Sequence, residues 1–297
     1  NKVVQDSEEY LPIQIPSKLI PNLKTSLFFK KKDDKVNNSY GFSIQSNLYV
    51  KKKDYLSLLK EIGELASGED NDEVKMSTYT SCFKYQLLSV ISNPNDNKAF
   101  RETINLTIKN LEVYNNAKVQ GIDKYIEKLS NQKDLLTLVM FRTMITVMMA
   151  KKLGWTGVNS ISPLVQSSLF CDSNLLNFNP DHHLLQENLK IEDNAKCQEL
   201  HNHIKGLEKT IHDFKIKSNN VISTIQQHHE NNDGTGPLKK KGLEIYPLAK
   251  ILRLADFFAC RVLSKNDPLT VEDALKLVRN KKHVFDSKFT QVLIDCF

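Results

Sequence analysis

The chain has 297 residues, 40% of them hydrophobic, and its 41 basic and 35 acidic side chains give a net charge of +6. This length predicts two domains, and the charge balance is too even for a typical DNA-binding protein but compatible with an anionic ligand such as a nucleotide. Five cysteines without a Cys-x-x-Cys pair, and a start without a signal-peptide pattern, favour a reducing, cytoplasmic setting.

The first 68 residues predict a small α/β domain with a regulatory or interaction role. Asp54 is the predicted N-cap of a helix that continues through Ile62. A polar, glycine-containing segment at 67–72 is the predicted linker, and 69–125 is predicted as a helical connector. Short apolar runs predict strands at 11–16, 27–29, 41–44 and 48–50.

Residues 126–297 predict a helical domain. Its first long helix is expected at about 134–153, and it contains the most apolar stretch of the chain, 135–150. This stretch includes Arg142 and falls short of the roughly 20 apolar residues that span a membrane. It therefore predicts a buried helix and no membrane span.

The segment with the most potential metal ligands begins at His228. It reads His-His-Glu-Asn-Asn-Asp-Gly-Thr-Gly-Pro and ends at Pro237. It follows an amphipathic helix, which would place the imidazoles of His228 and His229 about 100° apart around the helix axis, facing two neighbouring metals. Further on, Asp256 interrupts an apolar helix face, where burial of a carboxylate is costly unless it is paired or metal-bound.

These motifs resemble the signature of the HD-GYP phosphodiesterases, His-His-Glu-x-x-Asp-Gly-x-Gly-Tyr-Pro followed by a helix with Ile-Pro-x-x-Ala-Arg/Lys-Ile-Leu-x-x-Ala-Asp. The resemblance spans roughly 134–297 and implies a mainly α fold, a helical HD-type metal-dependent phosphohydrolase domain preceded by a small α/β domain. One element is absent, because Gly236 is followed directly by Pro237 where the family has a tyrosine between them.

The family's name-giving His-Asp pair aligns with Cys171 and Asp172. Asp172 is therefore expected to bridge the metals, while Cys171, at the histidine position, is either a soft ligand or a buried structural cysteine. Leu175 occupies the position of the lysine that helps the leaving oxygen in the family, and it cannot perform that role.

A further family histidine corresponds to His201 or His203, which lie on different faces of a helix. The spacing to His228 and the position of Ile204 favour His201, whereas Gly206 favours His203. We prefer His201 and keep His203 as the second choice.

The resemblance implies two divalent metal ions, iron first and manganese next, which would activate a bridging water for hydrolysis of cyclic di-GMP. It also implies phosphate contacts by Lys265 and substrate binding at Gly234 and Gly236. The expected metal ligands are Asp172, His201, His228, His229 and Asp256.

Three functions remain open. The chain is an unconventional two-metal cyclic-dinucleotide phosphodiesterase, a metal- and nucleotide-binding signalling module that has lost turnover, or a protein-interaction module whose N-terminal domain contacts the partner. The lost lysine, tyrosine and histidine argue against the first function, because each transition-state contact is worth several kcal/mol. The retained metal residues argue against the third.

Overall fold

The computed structural model describes residues 2–3, 10–13, 20–29, 48–67, 83, 104–105, 107–108, 135–173, 194–264 and 267–297. The chain divides into two compact units, Asn1–Ser92 and Asn93–Phe297. The predicted strand at 41–44, most of the predicted linker at 67–72 and most of the predicted connector at 69–125 lie outside the described residues. The predicted domain boundaries stay predictions.

The first unit contains a four-stranded sheet in the order β1-β3-β4-β2. β1 pairs with β3 in parallel, and the other pairs are antiparallel, with Leu11 opposite Val50 and Phe28 opposite Tyr49. Pro12 lies in β2 at an edge of this sheet, where its missing N–H is tolerated. The strands are β1 (Lys2–Val3), β2 (Tyr10–Ile13), β3 (Phe28–Phe29) and β4 (Leu48–Lys51).

Helix α1 (Tyr55–Ser67) begins directly after Asp54, as the sequence predicts. Its buried side chains follow the spacing of one helix face, and they form an apolar stripe. On another side of α1, the Glu61 carboxylate accepts hydrogen bonds from the backbone N–H groups of Lys24 and Thr25. The stripe consists of Tyr55, Leu58, Leu59 and Ile62.

The second unit is helical, which confirms the predicted mainly α fold. No strand is present among its described residues. Its helices are α2 (Leu135–Lys152), α3 (Val158–Phe170), α4 (Asn194–Asp213), α5 (Asn219–Gln227), α6 (Pro247–Val262), α7 (Val271–Asn280) and α8 (Ser287–Ile294).

Helix α2 is the centre of this unit. Every residue from 137 to 147 is buried, and the helix packs against α3, α6 and α8. A helix that is apolar on all sides needs such surroundings, so the predicted buried helix is confirmed. Across the described part of the chain, no helix combines the length and the apolar character that crossing a membrane requires.

Two helix ends bring the signature residues together. Cys171 is the C-cap of α3 and Asp172 follows it, while His228 is the C-cap of α5 and His229 follows that. Helix α3 packs against α5, and both pack against α6, which begins at Pro247 because the fixed φ of proline suits the first helical position. Helix α4 packs against α5 and supplies one further histidine, His203.

Candidate metal centre

Four ligand side chains converge where these helices meet. One carboxylate oxygen of Asp172 and one ring nitrogen from each of His203, His228 and His229 all lie within 4.8 Å of one another, and all four residues are buried. The Nε2 atom of His203 is 3.3 Å from Oδ1 of Asp172, and Nε2 of His228 is 3.7 Å from the same oxygen. Side chains from three helix ends or faces thus point at one small volume.

The tautomer of His228 is fixed by its helix. Its Nδ1–H donates to the carbonyl of Ile225 at 2.6 Å, which leaves the lone pair of the ring on Nε2. That Nε2 is buried and has no hydrogen-bond partner among the described residues. A hydrogen-bonded Nδ1 and an unused Nε2 are the arrangement that metal-binding histidines require.

The protonation of the histidine pair also suits a metal. Burial lowers the pKa of His228, and burial together with the neighbouring His228 and His203 lowers the pKa of His229 well below its ordinary value. The rings of His228 and His229 have centroids only 3.8 Å apart, so two positive charges there would repel each other. Both rings are therefore neutral near pH 7, with lone pairs available for a cation.

The donor set fits a divalent transition metal. Three imidazoles and one carboxylate are borderline ligands that iron, manganese or zinc accept, whereas magnesium prefers oxygen ligands. The strongest single observation for a bound metal is the Nε2 atom of His228, which is buried without a hydrogen-bond partner among the described residues. Leaving such a polar atom unsatisfied in a protein interior costs free energy.

Asp256 is buried on α6, as predicted, but it does not belong to the four-residue cluster. Its Oδ1 accepts a hydrogen bond at 2.7 Å from Nη1 of Arg142, a residue of α2. The same Nη1 donates to Oδ2 of Asp172. The arginine therefore lies between the two carboxylates that the sequence predicts as metal ligands.

Arg142 is fully buried and held from a second side by Ser168. Its Nη2 donates to the Ser168 carbonyl at 2.7 Å, and its Nε donates to the Ser168 hydroxyl at 3.3 Å. Burial opposes the charge of Arg142, but neighbouring acidic groups, Asp172 and Asp256 among them, raise its pKa well above the ordinary value. The guanidinium is a permanent cation in this interior.

Cys171 lies beside the cluster without belonging to it. Its Sγ is 3.8 Å from Oδ2 of Asp172 and 3.8 Å from the Ser168 carbonyl. Burial, reinforced by Asp172, raises the pKa of the Cys171 thiol well above its usual range. Because its Sγ is not among the four converging ligand atoms, the structure favours the structural interpretation of Cys171.

The structure places His203, the second choice from the sequence, in the cluster. The side chain of His201 lies outside the described side chains. Positions two residues apart on a helix are about 200° apart around its axis, so one of the two positions, not both, can face the cluster. His203 therefore faces the cluster, and the feature of the sequence that favoured it over His201 was Gly206.

Backbone geometry explains the glycines of the signature. Gly234 has a φ of +84°, in the left-handed region that glycine adopts readily. A Cβ on Gly236 would lie 2.6 Å from Cα of Glu230, whose carboxylate accepts the backbone N–H groups of Leu238 and Lys240, each at 2.7 Å. The loop thus closes over Glu230, and substrate binding at Gly234 and Gly236 stays a prediction. Leu175 and Lys265 lie outside the described residues.

Two arginines were missed as parts of the site. Arg142 could have been found, because it is a charged residue inside the most apolar stretch of the chain. Arg253 is buried on α6, where its Nε donates to Oδ1 of Asn231 at 3.1 Å. Arg253 carries a similar signal, because it lies between Leu252 and Leu254 in the apolar stretch that also contains Asp256.

Comparison with known proteins bears on both the fold and the site. Residues 176–289 match the HD domain family, and this range contains His203, His228, His229 and Asp256. The fold is similar to that of Bd1817, a HDG"Y"P protein from Bdellovibrio bacteriovorus, with a TM-score of 0.65 and 18% sequence identity over 84% of this chain and 81% of that chain. None of the curated proteins matches the chain. The predicted HD-type domain is confirmed.

Proposed function

We propose that this chain, an HD-domain protein with the fold of an HD-GYP protein, binds a divalent metal ion and, beside it, a cyclic dinucleotide, of which cyclic di-GMP is the first candidate. The observation that carries the proposal is the convergence of four buried ligand atoms from Asp172, His203, His228 and His229. The match to the HD domain family supports a metal-dependent phosphohydrolase-like domain.

Iron is the metal that we propose first, and manganese second, because three imidazoles and a carboxylate suit both ions. When bound, such an ion supplies a Lewis acid for a phosphate oxygen. The cation site and the positive net charge of the chain both favour an anionic ligand over a neutral one.

The chain's own residues hold the site in one arrangement before any ligand arrives. The Ile225 carbonyl orients the ring of His228, and Arg142 holds Oδ2 of Asp172, which leaves Oδ1 facing the histidines. All four ligand residues are buried, so bulk water is excluded from their polar atoms. Such preorganisation lowers the cost of binding a cation.

We propose that hydrolysis is slow or absent. The position of the family lysine is Leu175, the position of the family histidine is a neutral thiol at Cys171, and Asp256 is engaged by Arg142. Each lost transition-state contact costs about 2 to 4 kcal/mol, so three losses would reduce a rate by several powers of ten. Lys265, Gly234 and Gly236 remain our proposed contacts to the phosphates.

The alternative is a working two-metal phosphodiesterase that converts cyclic di-GMP to pGpG. Its support is the retention of Asp172, His228, His229 and Asp256 together in one buried region. The two functions share their nucleotide ligand and differ in turnover and in the number of metal ions.

Calorimetric titration of cyclic di-GMP into iron- or manganese-loaded protein tests binding, and chromatography of the same mixture for pGpG tests turnover. We expect saturable binding that is lost after the metal is removed with EDTA, and little pGpG compared with an active HD-GYP phosphodiesterase at equal concentration. Rapid pGpG formation would favour the alternative. Absence of binding by the metal-loaded protein would overturn both functions.

A further inference from the structure

The guanidinium of Arg142 fills the space between the two acidic groups that a second metal ion would need. Its Nη1 donates to Oδ1 of Asp256 at 2.7 Å and to Oδ2 of Asp172, so one oxygen of each carboxylate is already engaged. The histidine cluster uses the other oxygen of Asp172, since His203 and His228 both face Oδ1. Oδ2 of Asp172 therefore binds the guanidinium of Arg142, and Oδ1 faces the proposed metal site.

The charges of the region support this division. Asp172 and Asp256 together carry two negative charges, and Arg142 offsets one of them inside an interior where all three residues are 1% exposed or less. One divalent ion at the histidines then balances the remaining charge and leaves a small positive excess. A second divalent ion would bring the buried site to a large positive charge next to an arginine that cannot lose its proton.

The ligands for a second ion are also incomplete. Among the described residues, the one group of converging ligand atoms contains neither Asp256 nor Cys171, although Sγ of Cys171 is 3.8 Å from Oδ2 of Asp172.

We propose that Arg142 acts as a built-in cation in place of the second metal ion, so that this domain holds one metal, at Asp172, His203, His228 and His229, rather than the two expected from the sequence. The inference rests on the proposed metal site and specifies its occupancy. Arg142 is a positioning residue, because it contacts the carboxylates of Asp172 and Asp256 rather than the metal itself.

The test is the number of metal ions per chain, measured by plasma mass spectrometry after saturation with manganese and removal of the excess. We expect about one ion per chain for the unmodified protein. The electron paramagnetic resonance spectrum of the manganese-loaded protein should be the six-line pattern of an isolated ion, without the multiline signal of a coupled pair. About two ions per chain, or a coupled signal, would overturn the inference while leaving the metal site intact.

Substitutions of Arg142 separate its charge from its shape. Arg142→Gln frees both carboxylates, and we expect its metal content to rise towards about two ions per chain. Arg142→Lys keeps the cation, and we expect it to stay at about one. Equal metal contents in the two variants would contradict the proposal.

Asp256→Asn provides a second measurement if the Arg142 variants do not fold. Arg142 keeps its contacts with Asp172 and Ser168 in this variant, so a folded protein is expected. Because Asp256 is not a metal ligand in our proposal, the variant should bind the same single ion with affinity within about threefold of the parent. Loss of metal in this variant would overturn the proposal, and absence of metal from the unmodified protein would overturn the metal site itself.

Discussion

The Nε2 atom of His203 lies 3.3 Å from Oδ1 of Asp172, although the two residues belong to different helices. In our proposal His203, rather than His201, is therefore the fourth ligand, and this leads to a direct prediction. His203→Gln should weaken metal binding by at least about 100-fold, because an amide replaces a borderline imidazole ligand.

His201→Gln is the matched control, two residues away on the same helix. It should bind metal as the unmodified protein does. Titration with a competing chelator measures both affinities, and a larger loss in the His201 variant than in the His203 variant would return the assignment to His201.

The buried histidines predict how the stability of the metal-free protein depends on pH. The pKa values of His228 and His229 lie below the ordinary 6.5 in the folded state, so the unfolded chain takes up protons first as the pH falls. Stability that is present above pH 6.5 is therefore lost as the pH falls below it, with a slope of at most about 1.4 kcal/mol per pH unit for each proton.

Urea denaturation of EDTA-treated protein between pH 7.5 and about 5 measures this slope. His229→Gln removes one of the titrating groups and should flatten it. A free energy of unfolding that rises as the pH falls would contradict the predicted sign.

Gly236 is predicted to be intolerant of a side chain. In Gly236→Ala the new methyl group would lie 2.6 Å from Cα of Glu230, and a backbone atom cannot move aside as a flexible side chain can. We expect a loss of about 2 to 3 kcal/mol in the free energy of unfolding.

Gly157→Ala is the control for Gly236→Ala, because a Cβ at Gly157 meets no atom within 4 Å. As Gly157 is the N-cap of α3, its replacement should cost no more than about 1 kcal/mol. Thermal and urea denaturation compare the two variants, and equal losses would show that the close approach to Glu230 is unimportant.

Asp286 combines two roles at the start of α8. Its Oδ1 accepts the backbone N–H of Lys288 at 3.0 Å as an N-cap, and its Oδ2 pairs with Nζ of Lys250 at 2.9 Å. Asp286→Asn should retain the cap and lose the ion pair, whereas Asp286→Ala should lose both and destabilise the domain by about 1 kcal/mol more.

A double-mutant cycle with Lys250→Met isolates the ion pair of Asp286. Because the Lys250 side chain is only 10% exposed, we expect a coupling energy of about 1 kcal/mol in urea denaturation. Additive effects of the two substitutions would show that the pair contributes nothing.

The sequence predicted the helical domain and the buried α2. These predictions succeeded because apolar periodicity is a property of neighbouring residues. The choice between His201 and His203 depended instead on the rotation of α4 about its axis, which is set by packing against α5.

The role of Arg142 was beyond local reasoning for a related reason. The sequence shows that a charged residue interrupts an apolar helix, and this predicts a buried partner without identifying it. The partners, Asp172 and Asp256, come from two other segments, and only the packing of α2 against α3 and α6 brings them together.

The contact between Arg142 and Asp256 also has a consequence for the order in which the domain assembles. It joins positions that are 114 residues apart, and Arg142 precedes the range 176–289 that matches the HD domain family. Closing a loop of this length costs conformational entropy, so we expect the contact to form after the local helices. The charge of Asp256 is then compensated only when α2 packs against α6. A fragment that begins after α2 would carry all four proposed ligand residues but a buried, uncompensated Asp256, and we expect that metal would not rescue its folding.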